Sequence, residues 1–233
     1  MTAAPLQDTP TPGLVFKMYR AVVGVGLACG LAIVTVFEVT RPIIARNQIE
    51  ARQRAILDVL PEATNSAAFR PEASGRFVAA AVDAEGELVF AGYDDQGKLV
   101  GLAIEAQGMG YQDIVRVLYG YSFDEQTVLA IRVLESRETP GLGDRVEKDA
   151  AFLRNFGTLD VQLAPAGDAL VHPIEFVKSG AKTSPWQIDG ITGATITSRA
   201  VTKMLSKSTA RWMPRVFSRR AEFARPPKQE GIK

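Results

Sequence analysis

Ala21 to Phe37 reads AVVGVGLACGLAIVTVF, 17 residues without a charge, and no other segment limits the fold so strictly. At 1.5 Å per residue a helix of that length nearly crosses a ~30 Å hydrocarbon core, and Tyr19 with the stems of Lys17 and Arg20 extends it at one interface. A cleaved signal peptide needs a small-x-small site after the run, yet Glu38-Val39-Thr40-Arg41-Pro42 stands there. Gly26-Leu27-Ala28-Cys29 lacks the leucine of a lipoprotein signal. The run therefore reads as an uncleaved transmembrane helix, residues 19–40, after an N-terminal tail, residues 1–18. Lys17 and Arg20 favour a cytoplasmic tail, opposed by Arg41 and Arg46 just beyond the run. Gly26 and Gly30 form a GxxxG pair, a spacing that lets a partner helix approach closely.

Beyond the anchor the chain has room for one domain. From Ile43 to Leu60 apolar Ile49, Ile56, Leu57 and Leu60 recur among arginines and glutamines. This predicts an amphipathic linker helix within residues 41–62 that stops at Pro61-Glu62. Strand character follows at Phe77–Val82, Leu88–Tyr93, Leu99–Ala106, Ile114–Tyr119 and Val128–Leu134, with hairpin-turn chemistry at Asp94-Asp95-Gln96-Gly97. Glu147–Phe156 and Thr197–Trp212 read as helices. The composite, residues 63–213, is an α+β domain with a mostly antiparallel sheet. The tail from residue 214 to 233 carries six Lys or Arg against two Glu and reads as a solvated basic extension.

Composition excludes several chemistries. A formal charge of +1 gives no field that would steer the chain to nucleic acid. One cysteine, Cys29, builds neither a disulfide framework nor a zinc site and sits inside the apolar run as a packing residue. His172 is the only histidine, so neither a His-rich metal site nor a histidine-activated nucleophile is expected.

Chemistry concentrates in Asp189-Gly190-Ile191-Thr192-Gly193-Ala194-Thr195-Ile196-Thr197-Ser198. Gly193 and Ala194 clear space around the Thr195 hydroxyl, and Gly193 permits a turn that larger residues resist. A helical pattern with Val201, Met204, Leu205 and Trp212 on one side starts straight after, with Thr197 or Ser198 as its cap. The first turn of a helix leaves N–H groups unpaired and favours a phosphate. The same residues also fit a capped turn with no ligand.

The decapeptide resembles the flavinylation motif, an aspartate followed by Ser/Thr-Gly-Ala-Thr. Glu138-Thr139-Pro140-Gly141-Leu142-Gly143-Asp144-Arg145-Val146-Glu147 resembles a segment of the G subunit of Rnf-type ion-translocating electron transport complexes. Anchor, linker helix and strand-rich middle follow the order of that family. The resemblance implies FMN joined through its phosphate to Thr195 by a flavin transferase that uses FAD and Mg²⁺. Thr192, Gly193 and Ala194 belong to the motif, and Asp189 is needed by the transferase. It also implies an FMN domain on the periplasmic side of a bacterial inner membrane, iron–sulfur and flavin subunits as partners, and electron transfer between ferredoxin and NAD coupled to Na⁺ or H⁺. Glu138, Thr139, Gly141, Leu142 and Gly143 are the expected wall of the flavin site, and Tyr111 and Trp186 are candidates either for aromatic contact with the ring or for plain packing. No residue is expected to be catalytic and no protein metal ligand is expected; catalysis would belong to the assembly.

Two alternatives stand beside this reading. The C subunit of the sodium-translocating NADH:quinone reductase resembles the same architecture and also carries FMN on threonine. A flavin-free membrane-anchored binding or assembly module is the alternative of another class.

Overall fold

The computed structural model describes residues 12–84 and 86–227. The expected N-terminal tail falls mostly outside these residues, as do the last six of the basic tail.

The apolar run and the linker form one helix, α1 (Pro12–Val59), with Pro42 inside it. Its 18-residue apolar window has a mean hydropathy of 2.3, and none of that window is buried. It is long and apolar enough to cross a membrane. Proline costs a helix one N–H and crowds the carbonyl four residues back, but α1 continues through it into the amphipathic turns. Residues 12–48 form one compact unit and residues 49–227 belong to a second.

The second unit is built on a seven-stranded antiparallel sheet. Its strands are β1 (Asn65–Pro71), β2 (Phe77–Ala80), β3 (Val89–Tyr93), β4 (Leu99–Met109), β5 (Ile114–Ser122), β6 (Thr127–Glu135) and β7 (Leu159–Asp160), in the order β2-β1-β3-β4-β5-β6-β7. Between β3 and β4 the expected turn forms: Asp94 Oδ1 accepts from the N–H groups of Gln96 and Lys98 at 2.9 and 2.8 Å. A parallel pair, β8 (Glu175–Val177) and β9 (Gln187–Asp189), lies apart from the large sheet.

Both faces of the sheet are covered, which is why its central strands read as apolar runs. Val89, Ala91, Leu102, Ile104, Val117 and Tyr119 point to one face, where the long helix α4 (Thr195–Ser218) packs through Val201, Leu205, Trp212 and Met213. The alternate residues Phe90, Ala103 and Leu118 point to the other face, against Ile56 and Val59 at the end of α1 and Leu60 just after it. Leu60 sits in a trough made by glycines on three adjacent strands. A Cβ on Gly92 or Gly101 would come within 2.6 or 3.0 Å of its methyl groups, and one on Gly120 would overlap the Val59 carbonyl.

Three expectations need correction. The helix predicted over Glu147–Phe156 is α2 (Arg145–Lys148), α3 (Ala150–Leu153) and a 3₁₀ turn (Arg154–Phe156). Asp149 interrupts it, because its carboxylate accepts from the Ala151 and Phe152 N–H groups and so caps a new helix. The helix predicted to end at Trp212 runs to Ser218 through Pro214. The basic tail is also not a free extension up to Pro227. A short helix, α5 (Arg220–Phe223), turns back so that Phe223 is buried against Phe69 and Phe77, and the Tyr93 hydroxyl donates to the Phe223 carbonyl at 3.0 Å. Arginine-rich sequence hid one anchoring aromatic.

Candidate functional site

Thr195 opens α4, exposed to solvent. Before it, Gly193 adopts φ +87°, a left-handed backbone that residues with a Cβ rarely take. The expected caps do not cap. Ala194 holds the N-cap position with no side-chain hydrogen bond. Ser198 Oγ donates instead to the Ala194 carbonyl at 2.9 Å, and Thr197 turns inward to Glu138. The Thr195 hydroxyl has only a long 3.4 Å bond to the Ile191 carbonyl. It is therefore accessible at a helix start whose N–H groups lack a side-chain acceptor.

Glu138 ties the pieces around it together. It is 6% exposed. Its Oε1 accepts from the Gln112 N–H at 3.0 Å, and its Oε2 accepts from Thr197 Oγ1 at 2.6 Å. The carboxylate fills the space where Gly110 or Gly143 would carry a Cβ. Thr139 Oγ1 donates to Gln112 Oε1 at 2.9 Å. One buried carboxyl group thus joins the 110–113 turn between β4 and β5, the 138–143 loop and the first turn of α4.

Arg145 does the same for the motif from outside. Its Nη1 donates to the Thr192 carbonyl at 2.6 Å, and its Nη2 donates to Asp149 Oδ2 at 3.1 Å. Hydrogen bonds from the Phe152 N–H, then from Arg145 and Ala151, hold the Asp149 carboxyl below the usual carboxylate range. In the same loop Asp144 accepts from the Gly141 N–H and from Lys148 Nζ, and the bond from Lys148 is the main cause of its lowered pKa. Gly141 there has φ +79°. Arg145 lies inside the quoted motif, but its contact with Thr192 spans 47 residues and leaves no local sequence signal.

Asp189 is braced on two sides. Its Oδ1 accepts from the Ala181 and Lys182 N–H groups at 3.1 and 3.0 Å. Its backbone N–H donates to Asn155 Oδ1 at 3.1 Å, and its carbonyl accepts from Asn155 Nδ2 at 3.3 Å.

Two open clefts meet at Thr195 and Ile196. One, of about 300 Å³, is lined by Tyr111, Leu142, Gly143 and residues 193–197. The other, of about 480 Å³, is lined by Met109, Gly110, Thr195, Ile196, Arg199, Ala200 and Lys203. These volumes suit a small-molecule group. Beyond α1, the exposed large apolar residues among those described are Met109, Tyr111, Ile114, Leu142, Val171 and Ile196. All but Val171 lie on the 109–114 hairpin end, the 138–143 loop or the first turn of α4. The structure thus brings Thr195, Gly193, Ala194, Leu142, Gly143 and Tyr111 to one cleft, with Glu138 and Thr139 behind it. Trp186 is not among them. It stacks on His172 at 3.8 Å between ring centroids and lines a different groove.

The model of the FMN-binding domain matches residues 110–209, the stretch that holds every one of these residues except Met109. The chain is 31% identical over 197 residues to the G subunit of the ion-translocating oxidoreductase complex of Pseudomonas aeruginosa, an alignment covering 81% of each chain. It is 35% identical over 100 residues to the protein of the same name from Cronobacter sakazakii, there spanning 42% of this chain and 43% of the relative. Against that and similar relatives the matched length is thus under half of theirs. In fold the chain resembles NqrC of Shewanella oneidensis, with TM-score 0.58, 19% identity, and 70% of this chain and 93% of that one covered. It likewise resembles the C subunit of the Na⁺-translocating NADH-quinone reductase of Parabacteroides distasonis, with TM-score 0.57, 19% identity and 78% and 96% coverage. With the long apolar helix, the antiparallel domain and this extended match in hand, the chain belongs to the family of G subunits of ion-translocating oxidoreductase complexes.

Proposed function

We propose that this chain is a membrane-anchored flavoprotein subunit that carries FMN as a phosphoester on Thr195 and passes electrons within an ion-translocating complex. The observation that carries the reading is the exposed Thr195 hydroxyl at the junction of two clefts, rimmed by solvent-exposed Tyr111, Leu142 and Ile196. Exposed apolar side chains gathered around one hydroxyl suit a flat aromatic ring tethered there. The FMN-binding domain match over residues 110–209 supports the same cofactor.

In the attachment step Thr195 Oγ bonds to the FMN-side phosphorus of FAD. The pyrophosphate P–O bond breaks, AMP leaves and the hydroxyl proton is released to the transferase, which supplies Mg²⁺. Bound FMN supplies a ring that accepts and donates electrons; the protein supplies position and surroundings. Gly193 sets the turn, Arg145 holds it through the Thr192 carbonyl, and Glu138 fixes the wall formed by residues 138–143. Asp189, with one carboxylate oxygen committed to the 181–182 turn, serves recognition by the transferase. Membrane and iron–sulfur or flavin subunits are the proposed partners, met in the membrane through the Gly26/Gly30 face of α1. Electrons would run between ferredoxin and NAD, coupled to Na⁺ or H⁺, with the domain on the periplasmic side of the inner membrane.

Intact mass and in-gel fluorescence of the denatured chain, coexpressed with the transferase, test this. The wild-type chain should carry FMN mass and fluoresce, and Thr195→Ala should do neither. Covalent flavin on Thr195→Ala, or none on wild type, overturns the reading.

A further inference from the structure

Arg199 and Lys203 follow Thr195 by one and two turns of α4, and all three line the same cleft. No carboxylate lines it, and among the described residues neither cation has an ion pair or a hydrogen bond. Elsewhere in the domain Arg52, Arg132, Arg145, Arg211 and Arg220 each meet a carboxylate. Adjacent like charges at i and i+4 repel, so an unpaired couple beside one hydroxyl invites an anion.

Arg199 is also held in place. Its guanidinium lies over the Phe176 ring, 4.9 Å from the centroid. Phe176 in turn rests against the bare Cα of Gly190, where a Cβ would come within 2.6 Å of the ring. Gly190 of the motif thus seats the platform for a cation one turn beyond Thr195. Among the described residues, none of those lining the cleft on the other side, with Tyr111, Leu142 and Gly143, is a cation. Past Arg199 and Lys203 the next groove does contain a carboxylate, Glu175, which accepts from Gln187 Nε2 at 3.0 Å.

We propose that Arg199, backed by Lys203, is the phosphate-binding residue of this site: it faces the phosphate that joins Thr195 to the flavin and leaves the ring to the apolar cleft. This rests on the reading that Thr195 carries FMN. A guanidinium suits the role because its forked donors match phosphate oxygens.

The test uses the full chain in detergent with Thr195→Ala, which removes the ester, titrated by fluorescence with free FMN and with riboflavin, which has no phosphate. FMN should bind more tightly than riboflavin. Adding Arg199→Gln should weaken FMN about tenfold and leave riboflavin unchanged, and Arg199→Lys should recover part of the loss. Lys207→Gln, one turn past Lys203 and outside the cleft, should change neither. Equal affinity for FMN and riboflavin, or an FMN-to-riboflavin ratio that Arg199→Gln leaves unchanged, overturns the assignment. Covalent flavin mass on the chain with native Thr195 judges the parent reading separately. Loss of that mass in Thr195→Ala alongside an unmoved ratio would sink only the role of Arg199.

Discussion

Thr197 Oγ1 donates to Glu138 Oε2 at 2.6 Å, a buried bond between residues 59 apart in sequence that fastens the first turn of α4 to the 138–143 loop. The other carboxylate oxygen takes the Gln112 N–H, so Glu138 is a hub rather than a member of the cleft surface.

Glu138→Ala should therefore destabilise the domain by about 1–3 kcal/mol, because the buried Thr197 hydroxyl is left without an acceptor and the part-buried Gln112 N–H loses its partner. Glu138→Gln should cost less, since its carbonyl can take the Gln112 N–H while its amide donates to Thr197. Denaturant midpoints of the full chain in micelles decide it. A Glu138→Ala chain as stable as wild type would show that the hub carries no weight.

The glycine trough sets a second expectation. Leu60→Ala should cost about 2–5 kcal/mol by leaving a cavity over Gly92, Gly101 and Gly120. Gly120→Ala should be at least as damaging, because its Cβ meets the rigid Val59 carbonyl rather than a movable side chain. Thermal melting of both variants is the check, and a Leu60→Ala chain that melts with wild type would refute the packing argument.

Much of this architecture is legible in sequence, for identifiable reasons. Strands β3 to β6 announce themselves because both faces of the sheet are covered, so Val128–Leu134 and its neighbours are apolar nearly throughout. β1 does not: Asn65-Ser66-Ala67-Ala68 has small and polar residues with no alternation, and Pro71 argues against a strand. β7, β8 and β9 are two or three residues long and carry no period. Within the site, Thr195 and Gly193 are readable from local chemistry. The partners Arg145 with Thr192 and Glu138 with Thr197 are brought together only by the fold. Trp186 misleads because an aromatic near a motif in sequence stacks on His172 instead.

The folded tail gives a pH expectation. Burial pushes the Tyr93 phenol up to about 12, and its hydroxyl donates to the Phe223 and Arg225 carbonyls. A raised folded pKa means the folded chain keeps a proton that the unfolded chain gives up. The stability from Tyr93 is thus complete below pH ~10 and lost as pH rises toward about 12. Tyr93→Phe should be less stable than wild type at neutral pH, and the gap should narrow or reverse above pH ~10. Denaturation midpoints measured between about pH 8 and pH 12 test this; a constant gap would mean that Tyr93 ionises freely in the folded chain.

At the acid end the sign is opposite and the consequence reaches the motif. The Asp149 carboxylate caps α3 and holds Arg145, which holds the Thr192 carbonyl. Its pKa is lowered in the folded chain, so its contribution is present above the unfolded value near ~4 and is lost as pH falls through the folded value. Asp149→Asn keeps part of the cap and loses the ion pair, while Asp149→Ala loses both and should cost about 1 kcal/mol. Because Arg145 is then held only by Thr192, covalent flavin incorporation should slow more in Asp149→Ala than the loss of stability alone would account for at a temperature where both chains are fully folded. The stability difference between wild type and Asp149→Ala should shrink below pH ~4. A difference that stays constant down to about pH 2, or incorporation at the wild-type rate, would separate Asp149 from the turn that presents Thr195.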